Sequence, residues 1–404
     1  MGEPSRVRVT GPLEPFAEGF VVVLEEAGYR PAAGAMQLRL LSHLSRWMAT
    51  EGLSPADLRE PKVERFRREY VVRYASLRGV AARMAPLLGY LREVGVVPVA
   101  EQMPLTVAED LLDRYRRYLL IERGLTTGTV RGYVDIVRPF VESRVSSTGE
   151  VELWELSPAD VLGFLLAETG RRSRKSSKLL VSALRSLLGF WHVQGLIGRP
   201  LAGAVPSVAG WKLAGLPQAL DPEQVRALVD SCDRSTVAGI RDFAIVTMLV
   251  RLGMRRGEIA VLTLDDIDWR AGEIVVHGKG ARIERLPLPA DVGEAIAVYL
   301  RDARPTGFAG REVFVRIKAP RRPLTAGGVT QVVVSASKRA GLGEVTAHRL
   351  RHTAATELLR QGAPLHEIGE LLRHRSVLTT AIYAKVDRDR LRELARPWPT
   401  GGAA

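Results

Sequence analysis

Six side chains toward the C-terminus have the types and spacing to bind an anion and attack it. In chain order they are Arg255, Lys279, His348, Arg351, His374 and Tyr383, separated by 24, 69, 3, 23 and 9 residues. Arg255 lies in "RLGMRRGEIAVL", where Glu258 follows three residues later and can hold its guanidinium in one orientation. A guanidinium fixed in that way presents a planar fork that matches two phosphate oxygens. Read alone, the pair is also an ordinary surface ion pair of little energetic weight. Arg256 stands beside it as a further candidate for phosphate contact.

The segment "TAHRLRHTAATELLRQG" places His348, Arg351 and His352 at i, i+3 and i+4, on one face of the first two turns of a helix. Thr346 is the expected N-cap and Gly362 the stop signal. Two imidazoles and a guanidinium at a helix N-terminus suit an anion, because free backbone N–H groups point the same way. A solvated polar face is the other reading of the same residues. Lys279 sits between glycines in "VVHGKGARIERLPLP", at the tip of an expected hairpin, where a lysine reaches into a groove or is simply solvated. The stretch is no P-loop, since G-x-x-x-x-G-K-[ST] is missing and a hairpin is the wrong context. "HEIGE", His366 to Glu370, lacks the second histidine of H-E-x-x-H, so a zinc site is rejected there. Tyr383, in "RHRSVLTTAIYAKV", is either a core aromatic or a nucleophile. Of nine tyrosines only Tyr299 and Tyr383 lie in the last part of the chain, and Tyr299, in "AIAVYL", sits at core spacing.

These side chains need a scaffold, and 404 residues are enough for two or three domains. Hydrophobic residues make up 46%, which supports ordinary cores. The formal charge is +13 despite 45 acidic residues, an excess that points to a polyanionic partner, commonly nucleic acid. A single cysteine, Cys232, rules out an intrachain disulfide and a cysteine-based metal site. The N-terminus has no apolar signal core, and no apolar run approaches the ~20 residues a membrane helix needs. A cytoplasmic protein with no membrane partner is expected.

The first two-thirds of the chain reads as amphipathic helices. Two blocks share phrases in the same order. "EEAGYRPAAGAMQLRLLSHLSRWM" is similar to "IERGLTTGTVRGYVDIVRPFV", "LSPADLRE" to "LSPADVLG", and "APLLGYLREVGVVP" to "RSLLGFWHVQGLIGRP". Roughly 95 residues separate them, which suggests a duplicated four-helix unit. The expected domains are 1–103 and 104–206, both helical. A Gly/Pro-rich linker follows at 207–220, then an α+β domain over 221–404. Asp221 is the expected N-cap and Pro222 the first helical residue of that domain. Within it "EIVVHGKGARIERLPLP" reads as strand, turn, strand, and "REVFVRI" as a further strand.

Taken together, "LGMRRGEIAVLTLDDID", "HGKGARIERLPLP", "HRLRHTAATELL" and "LLRHRSVLTTAIYAKV" resemble the tyrosine recombinases, or phage integrase family, over Gly215 to about Arg392. The resemblance implies a SAM-like helical DNA-clamping region, which the shared phrases would make duplicated here, before a mostly helical catalytic domain with a small antiparallel sheet. It implies cleavage and rejoining of DNA through a 3′-phosphotyrosyl intermediate, with Tyr383 as nucleophile. Arg255 and Arg351 would stabilise the phosphorane. His348 would act as general acid/base, His374 would add a hydrogen bond, and Lys279 would protonate the departing 5′-oxygen. Glu258 and His352 would support them. No cofactor, metal or ATP is called for.

Implied partners are duplex attachment or recombination sites and a tetramer of the chain in the synaptic complex, with room for accessory recombination proteins. The place of action would be the nucleoid. The basic run "RRSRKSSK" offers Arg171, Arg172, Arg174, Lys175 and Lys178 for phosphate contact, and Arg256 adds to them. Rival readings are a type IB topoisomerase-like enzyme, a transposon-encoded strand transferase, and a DNA-binding protein with a decayed site. The sequence departs from the family at two points, the first being two helical units, Pro15 to Pro98 and Leu105 to Pro206, where the family commonly carries one. Glycine often precedes the second histidine, and here Arg373 stands there, so that turn is expected to differ.

Overall fold

The computed structural model describes residues 7–74, 80–98, 106–146, 151, 153–208, 219–278, 282–373 and 380. Lys279, His374 and Tyr383 lie outside these residues, as does most of the expected linker. The backbone divides into two compact units, one of residues 100–214 and the other of residues 1–99 together with 215–404. No described helix is long and apolar enough to cross a membrane.

In the 100–214 unit, four helices follow their caps. Within the other unit, the N-terminal helices are α1 (Ala17–Glu26), α2 (Pro31–Thr50), α3 (Glu60–Tyr74) and α4 (Val80–Glu93). The 100–214 unit holds α5 (Val107–Arg117), α6 (Thr127–Glu142), α7 (Pro158–Thr169) and α8 (Arg174–Val193). Thr106 and Ser173 cap α5 and α8 by accepting from Glu109 N and Ser176 N. Ser157 and Asp160 form a reciprocal capping box at α7. Burial of Leu112, Tyr115, Phe140, Leu184 and Trp191 makes the core, and the Tyr115 hydroxyl donates to Ala183 O at 3.2 Å. In the N-terminal helices, Phe20, Leu41, Leu44, Leu87 and Leu91 form a separate core, with Phe20 stacked on Tyr90.

The C-terminal part runs α9 (Pro222–Asp230), α10 (Val237–Leu252), α11 (Arg256–Val261), β1 (Ile267–Asp268), β2 (Glu273–His277), β3 (Ile283–Pro287), α12 (Ala290–Val298), α13 (Ala326–Arg339), α14 (Ala347–Arg360) and α15 (Leu365–Leu371). Asp221 caps α9 as expected, accepting from Gln224 N at 2.8 Å. The sheet is antiparallel in the order β1-β2-β3, with His277 opposite Ile283 across the hairpin. Helix α10 is apolar on nearly all sides, and α12, α13 and α14 pack around it. It is the central post of the domain.

The "REVFVRI" segment is not a strand. It makes single bridges from Glu312 to Thr263 and from Val315 to Pro323. Val313, Phe314 and Val315 are all buried, so the alternation of a one-sided strand is absent, and Pro323 has no N–H to extend a ladder. Tyr299 is core, fully buried, and its hydroxyl accepts from Val315 N.

One hydrogen bond ties the domain's entry to α14. Leu220 N donates to Thr353 Oγ1 on α14 at 3.0 Å, and both residues are buried. Replacing Thr353 with Val leaves that N–H without its acceptor. The substitution is expected to lower unfolding free energy by about 1–3 kcal/mol. Urea denaturation checks this, and an unchanged midpoint would count against the tie.

Candidate active site

Arg255 is placed by the way α10 stops. Gly253 ends that helix with φ +54°, in the left-handed region, and turns the chain into α11. A side chain there is excluded twice. The backbone disfavours it, and a Cβ would lie 2.6 Å from Leu372 Cδ2 and 3.4 Å from Ala354 Cβ. Two residues later Arg255 is the N-cap of α11, and Glu258 closes the cap from the third helical position. Glu258 Oε2 accepts from Arg255 N at 2.8 Å, and Oε1 accepts from Arg255 Nη1 at 2.5 Å. Glu258 is 5% exposed while the Arg255 side chain is 38% exposed. The carboxylate therefore grips the guanidinium from the inside and leaves an outer edge in solvent.

Arg351 is placed by the same turn. It is 4% exposed on α14, and its Nη1 donates to Gly253 O at 2.6 Å. That carbonyl is one of the last of α10, where the helix dipole is negative. Thus Gly253 fixes Arg255 through the chain and Arg351 through its oxygen. His348 and His352 lie on the same helix, with Nε2 atoms 3.0 Å apart and rings edge to face at 4.3 Å. One of these nitrogens donates and the other accepts. Burial pulls the His352 pKa down to about 4, and the charges of His348 and Arg351 add to the effect. His352 is therefore a neutral imidazole at physiological pH, beside an exposed His348.

Arg373, read from the sequence only as a departure from glycine, proves to be part of this network. Its backbone has φ +54°, a conformation that disfavours any side chain by roughly 1–2 kcal/mol. The side chain is almost fully buried, and its Nη2 donates to Glu258 Oε2 at 2.8 Å. Nη1 donates to Leu371 O at 2.8 Å, and the backbone N–H donates to Glu370 O. The Arg373 carbonyl in turn accepts from Arg255 Nη2 at 2.9 Å. Burial would raise the Glu258 carboxyl, but the Arg373 charge and the bonds from Arg255 outweigh it and hold the group below the usual carboxylate range. Burial also draws the Arg373 guanidinium below its ordinary value, with Glu258 acting against that. A long cation replacing a turn glycine was the available signal. Its partner lies 115 residues away and no local pattern points there.

The remaining candidates divide by location. Arg256 is exposed and donates to Thr330 Oγ1 on α13 at 3.0 Å. The strands on either side of Lys279 are closed by Gly278 N donating to Arg282 O at 2.7 Å. His277, at the end of β2, is 2.7 Å from the largely buried Asp266, which also accepts from Thr263. In the 100–214 unit, Arg171, Arg174 and Lys178 are exposed. Arg172 is half-buried and paired with Glu168 through Nε at 2.8 Å, so its charge is partly spent within the unit. The Lys175 side chain is outside the described residues. The structure thus brings Arg255, Glu258, Arg351, His348 and His352 onto the elements around the α10 turn.

The chain thus joins two arginines at the turn that ends α10, a short antiparallel hairpin and a separate four-helix unit. Comparison with known proteins gives the family. Residues 218–390 match the family model "Phage integrase family", and 112–195 match "Phage integrase, N-terminal SAM-like domain". The integrase/recombinase y4rA of Sinorhizobium fredii is 41% identical over 392 residues, covering 95% of this chain and 93% of its own. Tyrosine recombinase XerD of Listeria monocytogenes is 32% identical over 289 residues, covering 70% of this chain and 97% of its own.

Among solved structures, XerH recombinase in a post-cleavage complex with palindromic difH aligns with TM-score 0.57 at 21% identity, over 73% of this chain and 97% of that one. A lambda integrase dimer on a COC' core site aligns with TM-score 0.53 at 18% identity, over 73% and 99%. The chain belongs to the phage integrase family, the tyrosine recombinases, enzymes that cleave and rejoin DNA.

His352 gives the site a pH signature. In the unfolded chain a histidine takes up its proton near pH 6.5, whereas in the fold it does so only near 4. The contribution of neutral His352 is whole above 6.5 and is lost as pH falls from there toward 4, by at most about 3 kcal/mol. His352→Gln, which stays neutral, should flatten the fall in unfolding free energy over that range. Identical slopes for the two proteins in urea denaturation would contradict the assignment.

Proposed function

We propose that the chain is a site-specific DNA recombinase in which Tyr383 attacks a scissile phosphodiester held by Arg255 and Arg351. The observation that carries this reading is the double grip on Arg255. Glu258 and the Arg373 carbonyl occupy its inner N–H groups, while its outer edge stays exposed. Arg351 is anchored through its Nη1 on the Gly253 carbonyl. Both guanidinium groups are positioned before DNA arrives, so little reorganisation is needed as charge builds on the phosphate oxygens.

In the proposed reaction the phenolic oxygen of Tyr383 forms a bond to phosphorus and the P–O5′ bond breaks. His348 takes the phenol proton, and Lys279 gives a proton to the departing 5′-oxygen. His374 donates a hydrogen bond to the same phosphate. The arginines supply the charge that a metal ion supplies in other phosphoryl-transfer sites. The phosphotyrosyl bond conserves the energy of the broken one, so a 5′-hydroxyl of a second duplex can reverse the step and exchange strands. Arg171, Arg174, Lys178 and Arg256 are proposed phosphate contacts. Duplex recombination sites are the proposed substrate, a tetramer the proposed assembly, and the nucleoid the proposed place of action.

We also read the helices over 1–103 as a duplicate of the clamp over 104–206, with 207–220 as linker. The support is local. "LSPAD" forms a Ser–Asp capping box in both places, Ser54 with Asp57 and Ser157 with Asp160. The helix lengths diverge after it, since only a single 3-10 turn follows the first box.

The test uses nicked duplexes tiled across the DNA flanking the gene. Wild-type protein should give a covalent protein–DNA adduct on a denaturing gel with at least one tile, and Tyr383→Phe none. Arg255→Ala should lower the single-turnover rate by about 10²–10³-fold. Absence of adduct with every tile would refute the reading.

A further inference from the structure

We infer that Arg373 is a positioning residue for strand cleavage: it sets the orientation of Arg255 and preserves the positive charge of the site. The inference rests on the function proposed above. Four hydrogen bonds made by one residue carry it. The Arg373 carbonyl accepts from Arg255 Nη2 at 2.9 Å. Its Nη2 donates to Glu258 Oε2 at 2.8 Å, on the oxygen that also accepts from Arg255 N. Its own backbone is pinned by the N–H to Glu370 O and by Nη1 to Leu371 O. The next residue is His374.

Charge decides what this arrangement does. A buried carboxylate paired with Arg255 alone would cancel the charge that Arg255 directs at a phosphate. With Arg373 on its other side, the group of Arg255, Glu258 and Arg373 keeps one net positive charge. The surplus lies on the outer guanidinium, because Arg373 is buried and Arg255 is not. Geometry adds to this. Two anchors on different nitrogens of Arg255 fix the plane of its fork as well as its position, and both anchors depend on Arg373, one directly and one through Glu258. A glycine at 373 would adopt the same left-handed backbone without strain. It would supply the carbonyl but neither the charge nor the tether, so the residue present does more than turn the chain.

A purely structural ion pair would affect folding and leave the chemistry of the folded fraction unchanged. The test therefore compares Arg373→Gly and Arg373→Lys with wild type on the DNA tile that wild type cleaves. Single-turnover adduct formation and DNA affinity by mobility shift are measured at fixed salt, with folded fraction taken from thermal unfolding. Arg373→Gly should lower the cleavage rate of folded protein about 10–100-fold, the effect of a small misplacement of a reacting group, with affinity within about twofold. Arg373→Lys restores charge without the fork and should fall in between. Guanidinium ion at sub-denaturing concentration should raise the rate of Arg373→Gly, and urea at the same concentration should not.

Wild-type rates in both variants would overturn the inference and leave the proposed function standing. So would rate and affinity falling in parallel, or loss explained by folded fraction alone. If Arg373→Gly does not fold, Arg373→Lys carries the same comparison. No adduct from wild type on any tile would overturn the function and the inference together.

Discussion

A buried carboxylate, Glu258, is the group on which the arrangement of the site depends. Burying an ionised carboxyl without partners is prohibitive, and the fold keeps it charged only by surrounding it with donors. Three converge on its two oxygens: the backbone N–H and Nη1 of Arg255, and Nη2 of Arg373. Each donor is thereby committed to one place. The requirement to satisfy Glu258 thus becomes a constraint on Arg255, on the start of α11, and on the turn that precedes His374. Removing either arginine would leave the carboxylate undersatisfied, so the three groups stand or fall as a unit.

The second constraint is the end of α10. Because α10 is buried on nearly every side, its C-terminus opens inside the domain, where unpaired carbonyls are costly. Gly253 turns the chain away with a backbone few residues adopt, and the contact with Leu372 shows how little room is left. Its carbonyl is satisfied by a side chain, and that side chain is Arg351. A problem of helix termination and a problem of anion binding are therefore solved by the same bond. Helix α14 is held at this point and again at Leu220 by Thr353, so the face bearing His348, Arg351 and His352 is fixed near its beginning.

What could be read from sequence was what is local. Arg255 with Glu258, the caps at Asp221 and Thr346, the stop at Gly362, and the hairpin about Lys279 all depend on residues within a few positions. The family pattern gathered the six candidates, and of these Arg255, His348 and Arg351 lie among the described residues. What escaped was long-range. Arg351 meets Gly253 across 98 residues and Arg373 meets Glu258 across 115, and neither choice leaves a periodic trace. "REVFVRI" failed as a strand for a related reason. Its three central apolar residues are all buried, with Tyr299 stacked on Phe314, so β-propensity reported burial and not pairing.

The partners of these cations explain how positive charge is held together at this turn. Arg255 and Arg373 bring two guanidinium groups to one carboxylate, and Arg351 is held at the same turn by the Gly253 carbonyl. Arg351 donates to the Gly253 carbonyl, whose partial negative charge at a helix end attracts it. Arg255 shares its carboxylate with Arg373, so that neutralisation falls largely on the buried member of the pair. Mutual repulsion is opposed by fixed hydrogen bonds and by the apolar packing of α10 and α14, which the domain needs in any case. A polyanion entering the site would find its charge partners already in place. The excess that composition shows as +13 over the whole chain is, at this turn, a specific arrangement of three side chains.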